Sequence, residues 1–228
     1  MTPVTLYCLP HAGGGISAYA GWREEAPDGL DVQPVRLPGR DGDPGEHCQR
    51  MDDLVTTLVG DLTALPCALF GHSVGAVVAF ELARAATAAG RAPRALFVSG
   101  SVAPPRAAGH DQPRRDLPDD EFAAEVERLG GVPPELLADP ESRSVLLPRL
   151  RADYTIAETY EYRPGPPLDC PISAFAGRAD PAVGAADLDD WAEHTTATCR
   201  GRRLPGDHFY LTTARPLLLR AIGRDLEL

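Results

Sequence analysis

Short apolar segments that alternate with helix-like segments are the feature that most constrains the fold of this chain. Apolar or alternating runs of strand length recur along the 228 residues. They are Val4–Leu9, Val32–Leu37, Cys67–Phe70, Ala95–Val98, Pro171–Ala176 and Cys199–Leu204. Because helical patterns lie between them, we predict an α/β fold with a mostly parallel sheet and helices on both faces. With 43% hydrophobic residues, a chain of this length buries a core without disulfide or metal staples.

Aliphatic side chains at helical spacing predict the helices between these strands. One stripe covers Leu54–Leu65, and Pro66 is expected to stop that helix. A second begins at Val74 and ends near Gly90, and a third covers Leu217–Ile222 near the C-terminus.

Residues 103–167 interrupt this alternation, because they contain no convincing strand. Phe122–Leu129 predicts one short amphipathic helix. Tyr154–Glu161 predicts a later one, which Pro148 is expected to open. We expect a single domain over residues 1–228, with residues 103–167 inserted as a helical lid over a site. The alternative is a set of crossover helices that only cover the sheet.

Charge and cysteine usage exclude several classes of function. With Lys+Arg 22 against Asp+Glu 33, the net charge of −11 predicts repulsion of nucleic-acid phosphates. No apolar run reaches the roughly 18 residues of a transmembrane helix, and no secretory signal is visible. Five cysteines without a CxxC pair predict neither a disulfide framework nor a metal site, so we expect a reduced, cytoplasmic protein.

Gly71-His72-Ser73-Val74-Gly75 is the strongest chemical signal in the chain. It follows an apolar run and begins an apolar-striped helix, which is the strand–turn–helix setting of a nucleophilic serine. Glycine at both ends lets strand and helix approach closely, and the turn presents the Ser73 hydroxyl at the carboxyl edge of the sheet. A plain glycine-rich turn is the alternative.

Ser73 needs a base, since a hydroxyl is a weak nucleophile until a neighbour takes its proton. His208 follows a late strand and a Pro-Gly-Asp turn, where this architecture has its base, in the chain order Ser…Asp…His. His72 adjoins the serine but is expected to point elsewhere, and His194 is expected at the surface. The other histidines lie in loops, at His11, His47 and His110.

Asp180 is the predicted acid that orients His208. It lies in the loop after the strand Pro171–Ala176, and a buried carboxylate there holds the imidazole in one tautomer. Asp207 is adjacent to His208 and is badly placed to reach its ring. The other candidates for this acid are interpreted as residues of a solvated helix start: Asp187, Asp189 and Asp190.

A glycine-rich loop, Pro10–Gly15, follows the first strand. It is placed to donate a backbone N–H to an oxyanion hole, together with the N–H of Val74. A phosphate-binding loop is the alternative, but no GxGxxG pattern fits and no lysine follows.

Together these motifs resemble the type II thioesterases of polyketide and nonribosomal peptide biosynthesis, which are free-standing α/β-hydrolases. The similarity spans nearly the full chain, and LRADY followed by GDHFYL is its most specific part. It is carried by PHAGGG at 10–15, RLPGR at 36–40, GHSVGA at 71–76, AFELA at 79–83, LPRLRADY, CPISAFAGRADP and LPGDHFYL at 204–211. The family often has methionine at the position of Val74. Because Val74 would contribute only its backbone N–H, we expect this difference in side chain to have little effect.

The resemblance implies an α/β-hydrolase fold with a helical lid and a reaction without metal or other cofactor. That reaction is hydrolysis of an acyl thioester from the phosphopantetheine arm of an acyl or peptidyl carrier domain, in order to remove stalled or misprimed groups. The resemblance assigns the triad to Ser73, Asp180 and His208, and the oxyanion hole to the N–H groups of Ala12 and Val74.

Carrier domains are typically acidic, and this chain is acidic too, so a transient encounter is expected. Arg149 and Arg151 are candidate ligands for the phosphate of the arm. Three other functions stay open at the level of sequence: a carboxylesterase or lipase with the same triad, product release or acyl transfer to a hydroxyl or amine, and a binding module that kept the fold.

Overall fold

Six parallel strands form the central sheet of the computed structural model, which describes residues 2–107 and 113–228. The strands are β1 (Val4–Leu9), β2 (Leu30–Pro34), β3 (Cys67–His72), β4 (Leu96–Ser99), β5 (Ile172–Gly177) and β6 (Cys199–Leu204). Their order across the sheet is β2-β1-β3-β4-β5-β6. The order therefore changes direction at β1, and the crevice at the carboxyl ends of β1 and β3 is where such sheets bind ligands.

Helices connect the strands and cover both faces of the sheet. They are α1 (Trp22–Glu25), α2 (Met51–Val59), α3 (Val74–Ala88), α4 (Pro104–Ala107), α5 (Asp119–Leu129), α6 (Pro134–Ala138), α7 (Pro140–Glu158), α8 (Ala185–Asp189), α9 (Tyr210–Thr213) and α10 (Arg215–Asp225). Among the described residues, no helix combines the length and the hydrophobicity that crossing a bilayer requires. The predicted α/β class with a parallel sheet is confirmed.

Alternating side chains of β1 divide the core into two apolar layers. Tyr7 and Leu9 pack in one layer with the buried faces of α2 and α3. Leu6 and Cys8 pack in the other layer with Trp22 and the buried side of α10. Because both faces are covered, all six residues of β1 are buried, which explains why apolar side chains lie on both faces of this strand.

The insertion between β4 and β5 carries α4 to α7, and its described part contributes no strand to the sheet. It has a small apolar core of its own, in which α5 and α6 pack against α7. The central side chains are Phe122, Val126, Leu137, Leu147 and Leu150.

Two predicted boundaries in the first half of the chain are wrong. The second strand covers Leu30–Pro34 rather than Val32–Leu37, because its register against β1 begins at Val4 opposite Leu30. The helix predicted to continue to Pro66 ends at Val59. Gly60 follows its last residue and is a poor helix former, so the backbone turns there, while Leu62 still reaches the core.

The start predicted for the later insertion helix is also wrong. It begins at Pro140 rather than Pro148, and Glu161 lies beyond its end. Asp139 caps this earlier start, because its carboxylate accepts the Ser142 N–H at 2.8 Å. Pro148 lies inside the helix on its exposed side and removes one backbone hydrogen bond there, but the helix continues past it.

Candidate active site

Ser73 occupies a strained turn between β3 and α3. Its backbone has φ 56° and ψ −124°, a region that non-glycine residues rarely adopt. The Ser73 N–H donates to the carbonyl of Ser99 at 2.8 Å, which fixes the turn against β4. A Cβ on Gly71 would lie 2.0 Å from the carbonyl oxygen of Gly75, so only glycine allows this closeness. The predicted strand–turn–helix setting is therefore present.

The loop after β1 passes directly beside this turn. A Cβ on Gly75 would lie 2.4 Å from the carbonyl oxygen of Pro10. The loop itself is a tight turn, in which the Gly14 N–H donates to the His11 carbonyl at 2.9 Å. Ala12 lies in this turn and lines the same cavity as Ser73 and Val74. The use of the Ala12 and Val74 N–H groups as an oxyanion hole stays a prediction.

His208 and Asp180 form a hydrogen bond between His208 Nδ1 and Asp180 Oδ2 at 2.9 Å. The Asp180 side chain is fully buried, and its other carboxylate oxygen accepts the Ala182 N–H at 2.8 Å. Burial alone would raise the pKa of Asp180, but the hydrogen bonds from His208 and Ala182 outweigh it and hold that pKa below its usual value. Asp180 is thus an ionised partner for the imidazole.

Backbone contacts between two loops bring this pair together. The Ala179 N–H donates to the Gly206 carbonyl at 2.9 Å, so the loop after β5 is tied to the loop after β6. A Cβ on Gly177 would lie 2.0 Å from the Asp207 carbonyl oxygen. Asp207 points elsewhere, since its carboxylate accepts the Phe209 N–H at 2.9 Å. Among the acids that the sequence offers as partners of His208, Asp180 is the one hydrogen-bonded to it in the described structure.

Two histidines near His208, buried His72 and partly buried His11, stay neutral. The ring centroids of His72 and His208 are 5.0 Å apart, and His72 Nδ1 lies 2.9 Å from the Ser99 hydroxyl. Burial first, and then the neighbouring His208, lower the pKa of His72 well below its usual value and that of His11 to about 4. Because both rings are uncharged near neutral pH, neither repels a positive charge on His208.

His194 is buried, and its predicted position at the surface is wrong. Its ring packs edge-on against Phe80 at 5.3 Å and Tyr162 at 5.5 Å between centroids, on the face covered by α3. Burial lowers the pKa of His194, which makes it a neutral core residue. His110 lies outside the described residues.

Comparisons with known proteins identify the family. A family model described as a thioesterase domain matches residues 4–226. The gramicidin S biosynthesis protein GrsT of Aneurinibacillus migulanus is 37% identical over an alignment of 228 residues, gaps included. The alignment covers 98% of this chain and 89% of GrsT. Thioesterase PikA5 of Streptomyces venezuelae is 39% identical over 214 residues, or 91% of this chain and 75% of PikA5. This chain belongs to the thioesterase family.

A solved structure gives the same result for the fold. The type II thioesterase BorB from the borrelidin biosynthetic cluster superposes with a TM-score of 0.90 at 39% identity, over 99% of this chain and 93% of BorB. The fold is that of the α/β-hydrolase thioesterases, and this thioesterase is a hydrolase that acts on thioester bonds.

The cavity of this thioesterase measures about 500 Å³ and contains both Ser73 and His208. One wall comes from the body, with Val77 and Val183, and the opposite wall from the insertion. The insertion contributes Ala107, Tyr154, Ala157 and Tyr160, among others. Most of these surfaces are apolar, which suits an acyl chain.

Arg40 and Asp153 were missed as functional candidates, although both lie in motifs that carry the family resemblance. They form a buried ion pair beside the loop after β1. A signal was present in the sequence: Asp153 lies between Leu150 and Ile156 on the apolar stripe of α7, where a charged residue requires a partner.

Arg151 is already engaged within the insertion, contrary to its predicted role as a phosphate ligand. Its guanidinium donates to the Leu117 carbonyl and to Asp119, both at 2.7 Å, and lies over the ring of Phe122. These contacts occupy the charged group, so Arg151 holds the segment before α5 against α7.

Proposed function

We propose that this thioesterase hydrolyses acyl thioesters carried on the phosphopantetheine arm of acyl or peptidyl carrier domains, and thereby clears stalled or misprimed carriers. The observation that supports this most is the hydrogen bond between His208 and buried Asp180, in loops that border the cavity containing Ser73. Structurally similar thioesterases from NRPS/PKS pathways support the carrier as partner. The proposed reaction requires no cofactor beyond the arm that carries the acyl group.

In the first half of the reaction, the Ser73 hydroxyl attacks the thioester carbonyl while His208 takes the hydroxyl proton. Asp180 stabilises the imidazolium that forms, because its pKa is low enough to keep it ionised. The N–H groups of Ala12 and Val74 stabilise the oxyanion of the tetrahedral intermediate. The carbon–sulfur bond then breaks, and His208 returns the proton to the thiolate, whose conjugate thiol has a pKa of about 8.5.

In the second half, water attacks the acyl group on Ser73 while His208 takes a proton from the water. Collapse of the second intermediate breaks the ester bond, and His208 returns the proton to the Ser73 oxygen. The products are a free carboxylic acid and a carrier with a free thiol.

Charge at the cavity supports a transient encounter with the carrier. The three arginines that line the cavity are all paired with acids of the same chain. Arg106 pairs with Asp187 and Asp190, while Arg114 and Arg128 share Glu125. With a net charge of −11 in addition, an acidic carrier gains little long-range attraction. We propose the cytoplasm as its location, consistent with its unpaired cysteines.

The decisive experiment compares two serine variants that share one cavity. Ser73→Ala is expected to lower hydrolysis of an acyl-carrier thioester at least about 10³-fold with the fold intact. Ser101→Ala, which removes another hydroxyl from the cavity lining, is the matched control and should change the rate little. Near-normal turnover by folded Ser73→Ala would refute the proposal. Faster hydrolysis of the same acyl group from a simple oxygen ester than from a carrier would instead favour a general esterase.

A further inference from the structure

A buried ion pair connects the body of the molecule to the insertion. Arg40 Nη1 and Nη2 donate to the two carboxylate oxygens of Asp153 at 2.9 and 2.6 Å. The side chains are only 2% and 5% exposed. Arg40 follows β2, whereas Asp153 lies in α7, so the pair joins two regions far apart in sequence.

Both members of this pair also bind the backbone of the loop after β1. Asp153 Oδ2 accepts the N–H of Gly13 at 2.7 Å, and Arg40 Nη1 donates to the carbonyl of Gly14 at 2.7 Å. Gly13 directly follows Ala12 and has φ +75°. The ion pair therefore fixes the peptide plane immediately after the predicted oxyanion donor.

Helix α7 also packs tightly on this loop. A Cβ on Gly13 would lie 2.5 Å from Leu150 Cδ2, so the helix approaches the bare backbone. Leu150 and Asp153 lie three residues apart on the same face of α7. One helical face thus supplies both an apolar contact and a hydrogen-bond acceptor to the loop.

Stability alone does not account for a charged pair at this position. Removing two charges from water is costly, and apolar side chains of similar volume often serve a buried site as well or better. Apolar side chains, however, bind neither an amide nor a carbonyl. The feature that only the charged pair provides is the attachment of the backbone of Gly13 and Gly14.

We infer that Arg40 and Asp153 are positioning residues that hold the loop after β1 in the geometry in which the Ala12 N–H stabilises the oxyanion. This inference rests on the proposed function, because it assumes that Ser73 generates that oxyanion. An oxyanion donor acts only when its geometry is fixed before the reaction, so the pair contributes to the rate rather than to substrate binding.

The test replaces the pair by apolar side chains and separates rate from stability. Asp153→Ala alone leaves the buried charge of Arg40 unpaired and risks unfolding. Arg40→Met with Asp153→Leu removes both charges while filling the space. The matched control is Arg202→Met with Asp225→Leu, which removes a second two-point ion pair that lies outside the cavity lining.

We expect the Arg40/Asp153 double variant to stay folded, with kcat lowered about 10- to 100-fold and KM changed less than about twofold. Affinity for a trifluoromethyl ketone analogue of the acyl group, which forms an oxyanion on Ser73, should fall by the same factor. Affinity for the matching alcohol, which forms none, should stay. The Arg202/Asp225 double variant should keep wild-type kcat.

Two results overturn the inference in distinguishable ways. A folded Arg40/Asp153 double variant with wild-type kcat and ketone affinity, beside an inactive Ser73→Ala protein, refutes the positioning role alone. An active Ser73→Ala protein refutes the proposed function and this inference with it.

Discussion

The carboxyl edge of the sheet and the helical insertion contribute to one cavity in different ways. The edge holds Ser73 and His208 through backbone hydrogen bonds between neighbouring strands and loops. The insertion supplies apolar wall residues such as Ala107 and Ala157. We therefore expect a substitution at the edge to slow every substrate equally, whereas a substitution of an apolar wall residue of the insertion changes which acyl groups are accepted.

The insertion itself is divided between an attached helix and a less attached segment. Helix α7 is tied to the body by Asp153, which accepts the N–H of Gly13 at 2.7 Å and pairs with Arg40. Helices α5 and α6 instead find their apolar contacts on α7 rather than on the sheet. We therefore expect any lid motion in α5 and α6 and not in α7.

The largest effect is expected at the edge. His208→Ala should lower kcat at least about 10³-fold for every thioester tested, because triad members act as a unit. Asp180→Asn should be equally or less harmful, since the carboxylate orients the ring rather than attacking. His47→Ala, a histidine outside the cavity, is the matched control in the same steady-state assay. A loss confined to long acyl chains would contradict the division between edge and wall.

The edge could be predicted from the sequence because its determinants are local. The glycines around Ser73 lie within two residues of it, and Asp180 and His208 each follow a segment that the sequence pattern marks as a strand. Parallel strands bring their carboxyl ends to one edge, so chain order alone placed Asp180 and His208 near Ser73. The structure pairs the same acid and histidine.

The attachment of the insertion could not be predicted in the same way, because it depends on distant partners. Arg40 and Asp153 are 113 positions apart, and Gly13 and Asp153 are 140 apart. Local rules also give the wrong start for α7, because they treat Pro148, an exposed interior proline, as a first-turn proline. The burial of His194 likewise depends on aromatic neighbours from other elements.

A second prediction tests the wall, with a smaller effect. Ala157→Leu adds volume inside the cavity, so it should lower kcat/KM for an octanoyl thioester about 10- to 100-fold relative to an acetyl thioester, since pocket methylenes are worth about 1–3 kcal/mol. Ala124→Leu makes the same change on the exposed side of α5. It should alter neither kcat/KM nor the octanoyl-to-acetyl ratio of kcat/KM. Equal slowing of both substrates by Ala157→Leu would show that this wall residue acts on the reaction itself rather than on acyl selectivity.

A third prediction concerns how stability depends on pH through His11, a partly buried histidine in the loop after β1. In the folded protein the pKa of His11 is about 4, against about 6.5 for a free histidine. Between pH 4 and pH 6.5 the unfolded chain therefore binds more protons at His11 than the folded protein does. The contribution of His11 to the free energy of unfolding is retained above about pH 6.5 and is lost as the pH decreases toward 4. His11→Gln should reduce the loss of unfolding free energy between pH 7 and pH 5 by about 1–2 kcal/mol in urea titrations. An identical loss in wild type and variant would mean that His11 is not buried as a neutral ring.

The smallest expected effect is a change in local protection, and it tests the division inside the insertion. In free enzyme, amides of α5 should exchange faster than amides in the middle of α7, because the described side chains of α5 pack in the small core of the insertion, whereas Asp153 ties α7 to the loop after β1. When acyl-carrier binds the Ser73→Ala protein, protection should rise about tenfold or less in residues 113–138 and stay constant around Asp153. Hydrogen exchange measured at the residue level distinguishes these segments.

Unchanged protection in both segments despite demonstrated binding would argue against a substrate-responsive lid. Rising protection in the middle of α7 would show that the Arg40–Asp153 attachment opens in the free enzyme, and the two parts of the insertion would then move together.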